Sequence, residues 1–444
     1  MAQTSASDPA PAGPSPVWLG AAGDRVVDRL LSKPMVAVAV AVRLVAATVL
    51  VLGPWTDEPA DVAGWDIERF VAILAVPGRL WRDAPVEYPP GSVLVFKALD
   101  WLSPPGMDAV IGAHRVLVVL ALAADLALAW LLARQGRDIA AWYLVLGLPL
   151  VPMGLLRLDV IVTLLAAGAA LMALNRGRRP GRDRARGPAW ADGAVGLLAA
   201  AAIMVKVWPG LLIPSFWALR RHRSTVAALT ATALAVLTWL GWADAGFEPV
   251  RQVVELRGAT GWHLESVGGV LTSLAVGTGL WSAGPGQGPR LELNAYRTGI
   301  LDPAMVTAAR ALAVAAFMAL AVRGRRALAS DGDQGRERAV LGAVVLGSTA
   351  ALLVSSPLLS PQFLLWLTPW AAFIGSDQDR TLAAPVTITL AATTITGMAL
   401  AVFGPPDLHQ PSAAVALAVR NGLLLALPIS CWRWLGRPDR RPAD

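Results

Sequence analysis

Apolar residues in this chain come in long unbroken runs, one after another, and little else separates them. The runs fall at about 35–53, 109–133, 138–155, 159–175, 190–206, 208–219, 224–242, 303–322, 339–356, 358–374, 383–403 and 414–432. A membrane-crossing helix needs roughly 20 such residues, because it rises about 1.5 Å per residue through a hydrocarbon core near 30 Å thick. Twelve runs therefore predict an all-α polytopic integral membrane protein with about twelve transmembrane helices. The run at 208–219 is short and is expected to borrow Val207 and its neighbours or to sit where the bilayer thins. Two further stretches, 91–103 and 265–282, are short or Gly-interrupted and read as surface or re-entrant pieces.

Composition supports that reading and excludes others. The chain is 55% hydrophobic and 16% charged, whereas an ordinary soluble domain is about a quarter charged. Four His and the single Cys431 give no zinc or iron–sulfur framework and no disulfide within one chain. The organisation predicted is a flexible tail over 1–33, a membrane domain over 34–432 and a basic tail over 433–444. The first apolar run lacks a following cleavage pattern and is expected to be a retained span.

The net charge of +7 is nearly all Arg, since Lys33, Lys97 and Lys206 are the only lysines. In a membrane protein this excess bears on orientation, not on nucleic acid. Twelve spans put both termini on one side, and the segments on that side hold 24 of the 38 Lys and Arg. The loop with Arg176, Arg178, Arg179, Arg182, Arg184 and Arg186 is the densest of them. The opposite long loops, 54–108 and 243–303, hold eight basic residues against fifteen Asp and Glu. The positive-inside rule then predicts cytoplasmic termini and long loops facing outward.

The short basic loops contain no Gly-rich phosphate cradle, so neither a nucleotide site nor an ATP-driven pump is expected. Polar residues gather instead on the outward side. In the first loop, Gly64-Trp65-Asp66-Ile67-Glu68-Arg69-Phe70 precedes Val86-Glu87-Tyr88-Pro89-Pro90-Gly91. Phe70, Val71, Ile73, Leu74, Leu80 and Trp81 suggest an interfacial helix. Asp66 stands before it, as a helix cap or as a general base at the membrane surface. Arg157-Leu158-Asp159 sits at a span boundary, where charges pair or snorkel. Lys206, in Met204-Val205-Lys206-Val207-Trp208-Pro209, is a cation in an apolar run and needs a partner such as a lipid-linked phosphate or a membrane headgroup. Gly261-Trp262-His263-Leu264-Glu265-Ser266 offers a His–Glu pair for sharing a proton or holding a sugar. Ser355-Ser356-Pro357-Leu358-Leu359-Ser360-Pro361-Gln362 turns Gln362 towards the same surface. Within the spans, Arg43 and Asp125 are able to pair, while Arg310 and Arg420 read as structural or lipid-contacting.

Taken in order, the outer-loop Asp, Tyr-Pro-Pro, Arg-Leu-Asp, Val-Lys-Val-Trp-Pro, Gly-Trp-His-Leu-Glu-Ser and Leu-Ser-Pro-Gln-Phe-Leu-Leu-Trp resemble the family-87 glycosyltransferases. These polyprenyl-phosphate-sugar-dependent enzymes have the GT-C fold and include actinobacterial mannosyltransferases. The resemblance covers about residues 35 to 375, with Phe70 where Tyr is more usual. It implies Asp66 as catalytic base, with Asp57, Glu58 and Asp61 as rival carboxylates. It implies Lys206 on the donor phosphate, helped by Arg157 or Arg115, and Tyr88, Asp159, Trp208, His263, Glu265 and Gln362 around the pocket. The expected activity is inverting transfer of a hexose, mannose first, from a polyprenyl phosphate donor to a glycolipid or glycan acceptor. No cofactor is required, although a divalent metal is compatible with the phosphate. The rival expectation is a lipid or sugar transporter or flippase, whose functional charges belong near the bilayer midplane.

Overall fold

A computed structural model of the chain describes residues 20–53, 64–175, 189–255, 261–277, 290–292, 295–297, 303–328, 334–376, 383–403 and 411–437. They form an almost wholly helical structure. Its first half comprises α1 (Gly20–Leu30), α2 (Lys33–Leu52), α3 (Gly64–Leu74), α4 (Pro90–Leu102), α5 (Ala109–Ala133), α6 (Arg137–Gly147), α7 (Val151–Leu155), α8 (Asp159–Asn175) and α9 (Ala189–Val205). Then come α10 (Leu212–Ala218), α11 (His222–Ala243), α12 (Glu248–Glu255), α13 (Val267–Gly277), α14 (Pro303–Ala327), α15 (Gln334–Ser355), α16 (Thr368–Gly375), α17 (Ala384–Phe403) and α18 (Pro411–Leu435). One antiparallel ribbon pairs β1 (Arg290–Glu292) with β2 (Ala295–Arg297).

Eight of the predicted runs are helices long and apolar enough to cross a membrane: α2, α5, the stretch Arg137–Leu155 formed by α6 and α7, α11, α14, α15, α17 and α18. The α8 and α9 helices, of 17 residues each, are apolar but shorter. The remaining two runs are broken. Residues 208–219 form the 3-10 turn Trp208–Leu211 followed by α10, and 358–374 contain the 3-10 turn Pro361–Trp366 followed by α16. Prolines explain both breaks: Pro209 and Pro214 in one, Pro361 and Pro369 in the other. Each removes a backbone donor and crowds the preceding turn. Irregular backbone at membrane depth is tolerated where protein surrounds it, and every residue from Pro361 to Gly375 is buried.

Burial divides the helices into inner and outer sets. In α15, 83% of the apolar window is buried, against 17% in α2 and α11 and 22% in α14. The outer helices present Val45, Val49, Leu229, Leu237, Leu312 and Val314 outward. A surface made of such side chains suits hydrocarbon, not water. The structure is that of a membrane-embedded protein.

Inside the bundle, Arg43 on α2 and Asp125 on α5 do pair, at 2.5 Å, with Arg43 only 2% exposed. The Tyr143 hydroxyl on α6 donates to the same carboxylate. Burial of two opposite charges demands such partners. A helix in the first long loop is present as α3, with two differences from expectation. It starts at Gly64, so Asp66 lies inside its first turn and not before it. It ends at Leu74, and Leu80 and Trp81 sit in the following turn, where Trp81 adopts a left-handed φ of 67°.

Candidate functional site

Two helix ends with complementary dipoles create the centre of the site. Asp159 opens α8, where a carboxylate is favoured by the helix N-terminus, and Lys206 follows the last residue of α9, where a cation is favoured. Because α8 and α9 pack against each other, the two charges meet. Lys206 Nζ donates to both carboxylate oxygens of Asp159, at 2.8 and 2.9 Å. The indole N–H of Trp366 donates to the same carboxylate at 2.6 Å. Asp159 is fully buried, while 11% of the Lys206 side chain remains exposed. The ammonium also lies 5.2 Å from the Phe363 ring and 5.6 Å from the Trp366 ring. Trp366 in turn stacks on Trp208, with centroids 5.1 Å apart and planes 14° apart. The result is a cation fixed at one end of an aromatic shelf built from Trp208, Phe363 and Trp366.

The Tyr-Pro-Pro-Gly segment docks beside that centre. Ser92, one residue past it, donates its hydroxyl to the Val205 carbonyl at 2.5 Å. Gly91 permits the approach, since a Cβ there would lie 2.6 Å from the backbone of Met204. Tyr88 is buried, with its ring edge-on to Phe70 of α3 and Phe96 of α4. The Trp81 indole donates to the Tyr88 carbonyl at 3.1 Å. From α12, Gln252 accepts from the Val86 amide at 3.0 Å and donates to the Trp81 carbonyl at 2.9 Å. These bonds and the surrounding indoles of Trp239 and Trp242 hold the unusual Trp81 backbone.

The α3 helix is fastened to the same turn by a two-pronged ion pair. Arg69 Nε and Nη2 donate to the two Glu87 oxygens at 2.9 and 2.7 Å. The hydrogen bond to Glu87, opposed by burial, holds the Arg69 guanidinium above its already high ordinary pKa. Asp66 lies three residues before Arg69, about one turn along α3. Its side chain lies outside the described residues, as do Asp57, Glu58 and Asp61.

Two more of the predicted segments are tied to each other and to the aromatic shelf. The His263 amide donates to the Pro357 carbonyl at 2.8 Å, and the ring N–H at Nδ1 donates to the Leu359 carbonyl at 2.5 Å. Gln362, buried, accepts from the Ser360 hydroxyl and adjoins Phe363. The described hydrogen bonds of His263 and Glu265 run to different partners. Glu265 turns away to Arg420 of α18, accepting from Nη1 at 2.7 Å, while its carbonyl accepts from Arg420 Nη2 and from Asn421 at 3.1 Å. Arg420, read as structural or lipid-contacting, is structural: it is 1% exposed and anchors the 261–266 turn. Arg310, by contrast, is exposed on α14. Glu265 and Arg420 also line a small cavity of about 20 Å³ with Pro361, Thr396 and Leu417.

The other two cations are placed differently. Arg157 is buried two residues before Asp159, with Nη1 3.5 Å from the Leu156 carbonyl. Arg115 is in the second turn of α5, and its one hydrogen-bond contact among the described residues is Met107 Sδ at 4.0 Å. Nothing described joins it to the Lys206 group. Among the described residues no cluster of three His, Cys, Asp or Glu side chains is grouped to hold a metal.

Sequence reasoning placed Trp366, Phe363, Glu87 and Arg69 inside motifs but gave them no role, and it passed over Ser92 and Gln252. The signal for Trp366 was its aromatic spacing three residues after Phe363. For Ser92, Arg69 and Gln252 these partners lie 18 to 171 residues away, which no local pattern reveals. No family model matches the chain, and no similar chain was found among curated proteins or solved structures.

Proposed function

We propose that the chain is an inverting glycosyltransferase of the GT-C kind, with twelve membrane segments, cytoplasmic termini and its active site on the outer face. It moves a hexose, mannose first, from a polyprenyl phosphate to a hydroxyl of a glycolipid or glycan. The acceptor oxygen attacks the anomeric carbon from the face opposite the phosphate, and the bond from that carbon to the phosphate oxygen breaks. Asp66 takes the acceptor proton, a role suited to a positioned carboxylate. The departing phosphate carries its negative charge towards Lys206, a preoriented cation of the type that stabilises developing charge. Arg157 and Arg115 are the neighbouring basic residues assigned to the same phosphate, and Tyr88, Asp159, Trp208, His263, Glu265 and Gln362 to the walls around it.

The observation that carries this reading is the Lys206–Asp159 pair on the Trp208–Trp366 stack, with Ser92 tying the Tyr88 segment to it. A cation beside flat aromatic faces suits a sugar phosphate: the ammonium meets phosphate as a point charge, and indole faces stack on sugar rings. Four distant parts of the chain meet there, at Ser92, Asp159, Lys206–Trp208 and Phe363–Trp366, and each lies in or beside a motif of the resemblance.

The test is sugar transfer in membranes of an expressing strain, given radiolabelled polyprenyl-phosphate mannose. Label entering a glycolipid with wild type, and its loss with both Asp66→Asn and Lys206→Met, supports the reading. Retention of transfer in Asp66→Asn alone moves the base to Asp57, Glu58 or Asp61. No transfer by folded wild type with any prenyl-phosphate hexose sinks the enzyme reading.

One observation favours the transporter alternative: Arg43, Asp125 and Tyr143 form a buried polar group inside the spans, the usual depth of a transported ligand or proton. Ion pairing that locks α2 to α5 and α6 explains the same group without transport.

A further inference from the structure

The end of the bundle opposite the Lys206 centre carries a second built arrangement of cations. Arg323 of α14 lies 4.8 Å over the Trp432 ring of α18. Arg325 lies 4.6 Å over Trp217 of α10 and donates to its carbonyl at 3.1 Å. Arg336 of α15 lies 4.9 Å over Trp434. Arg338 donates to the Gln135 carbonyl at 2.6 Å, and Arg221 pairs with Glu337 at 2.8 Å. These contacts join α10, α11, α14, α15 and α18 into one cationic surface. Gly436 completes it, because a Cβ there would fall 1.8 Å from Arg323 Nη2. The Arg323 Nε is buried and has no hydrogen-bond partner among the described residues.

The charge is strongly unbalanced. The segments 220–223, 323–326, 336–338 and 433–437 carry Arg220, Arg221, Arg223, Arg323, Arg325, Arg326, Arg336, Arg338, Arg433 and Arg437, with Glu337 the one carboxylate within them. Asp192, which accepts from Ser224, Asp138 beside Gln135, and Asp331 and Asp333 in the segment between α14 and α15 raise the acids to five, against twelve bases once Arg134 and Arg137 are counted. Loop arginines that serve orientation alone need no fixed geometry. Here three guanidiniums lie within 5 Å of indole centroids, and a cation held over a ring in this way has its place fixed before an anion arrives. Arg336 and Arg338 stand in the first turns of α15, where the helix field disfavours a cation, so a further anion would lower the energy of the whole group.

The same surface continues into lipid-facing hydrocarbon. On α18, Leu425, Ile429 and Trp432 are exposed at helical spacing and run up to the arginines. On α14, Leu312, Val314 and Met318 are exposed on the approach to Arg325. An occupant must therefore carry an anion at one end and long apolar chains at the other.

We propose that this surface is a binding site for an anionic phospholipid, with the headgroup phosphate on Arg323 at the seam of α14 and α18, in the field of the surrounding arginines, and the acyl chains along the same two helices. The site is independent of sugar transfer. It gives the protein a dependence on membrane composition that neutral lipid does not satisfy.

The experiment uses the full chain in dodecyl maltoside micelles. Its thermal unfolding midpoint is followed while dioleoyl phosphatidylglycerol, dioleoyl phosphatidylcholine or inorganic phosphate is added. Phosphatidylglycerol is expected to raise the midpoint saturably, and the other two to leave it unchanged. Arg323→Gln/Arg325→Gln is expected to weaken the apparent affinity on the order of thirtyfold, each basic group contributing about fivefold. Should that variant not fold, Arg323→Lys/Arg325→Lys keeps the charge but loses the planar fork, and an intermediate loss is expected. Equal shifts with both lipids, or an unchanged affinity in the variants, overturns the proposal. A shift with phosphate alone overturns the lipid as occupant and leaves a free-anion site.

Discussion

Lys206 and Asp159 stand 47 residues apart and bind each other through both carboxylate oxygens, at 2.8 and 2.9 Å. Neither charge reaches bulk water easily, so each is the other's condition for burial. Removing one partner of such a pair leaves an uncompensated charge and costs about 3–5 kcal/mol, whereas replacing both by apolar groups is often neutral. Asp159→Ala and Lys206→Met should each lower the unfolding midpoint clearly, and the double variant should recover most of the loss. Sugar transfer should be lost in all three. A double variant as unstable as the sum of the singles would show that the pair does not couple.

Arg69 and Glu87 are expected to behave differently. The Arg69 side chain is 29% exposed, so solvent screens the pair and its share of stability is small, about 1 kcal/mol or less. Its work is to fix α3, and with it Asp66, against the Tyr88 turn. Arg69→Lys keeps the charge but loses the two-pronged geometry. It should leave the unfolding midpoint nearly unchanged while lowering the turnover of transfer about tenfold. Equal loss of turnover and stability would assign the pair to folding alone.

How far the sequence revealed this arrangement depends on the range of each interaction. The spans at α2, α5, α11, α14, α15, α17 and α18 were legible because run length alone decides membrane crossing. The Arg43–Asp125 pair was legible because opposite charges in apolar spans have few other partners. Run length misled at 208–219 and 358–374, where apolar composition continues through Pro209, Pro214, Pro361 and Pro369 while the backbone does not. The partner of Arg420 was not legible because Glu265 is 155 residues away, in a turn with its own polar motif. Asp159 and Lys206 were each identified, but their union follows from α8 packing on α9, which hydropathy does not encode.

Glu265 illustrates how a pocket residue and a structural residue are to be told apart. Its carboxylate neutralises Arg420 inside the membrane domain, and Arg420 is 1% exposed. Glu265→Ala should cost about 3–5 kcal/mol by stranding that guanidinium. Glu265→Gln retains a hydrogen-bond acceptor and should cost less. If Glu265 serves only the turn, Glu265→Ala/Arg420→Leu restores both the unfolding midpoint and transfer. If it also touches the acceptor, the midpoint returns and transfer does not.

The last prediction separates the two functional readings through Asp125. Its carboxylate accepts from Arg43 at 2.5 Å and from Tyr143, locking the largely lipid-facing α2 to α5 and α6. Under the transferase reading this group is structural. Asp125→Asn should then lower the unfolding midpoint, because Arg43 loses its counter-charge, while transfer per folded molecule stays near wild type. Tyr143→Phe removes a single hydrogen bond to a charged group and should cost about 1.5–3 kcal/mol. Under the transporter reading Asp125 carries the load. Asp125→Asn would then abolish movement of a prenyl-phosphate sugar across proteoliposomes, even in a variant whose stability is restored by Arg43→Leu. Flux assayed beside transfer in Arg43→Leu/Asp125→Asn decides between them: intact transfer with no flux in any variant supports the enzyme, and flux in wild type lost in the double variant supports the transporter.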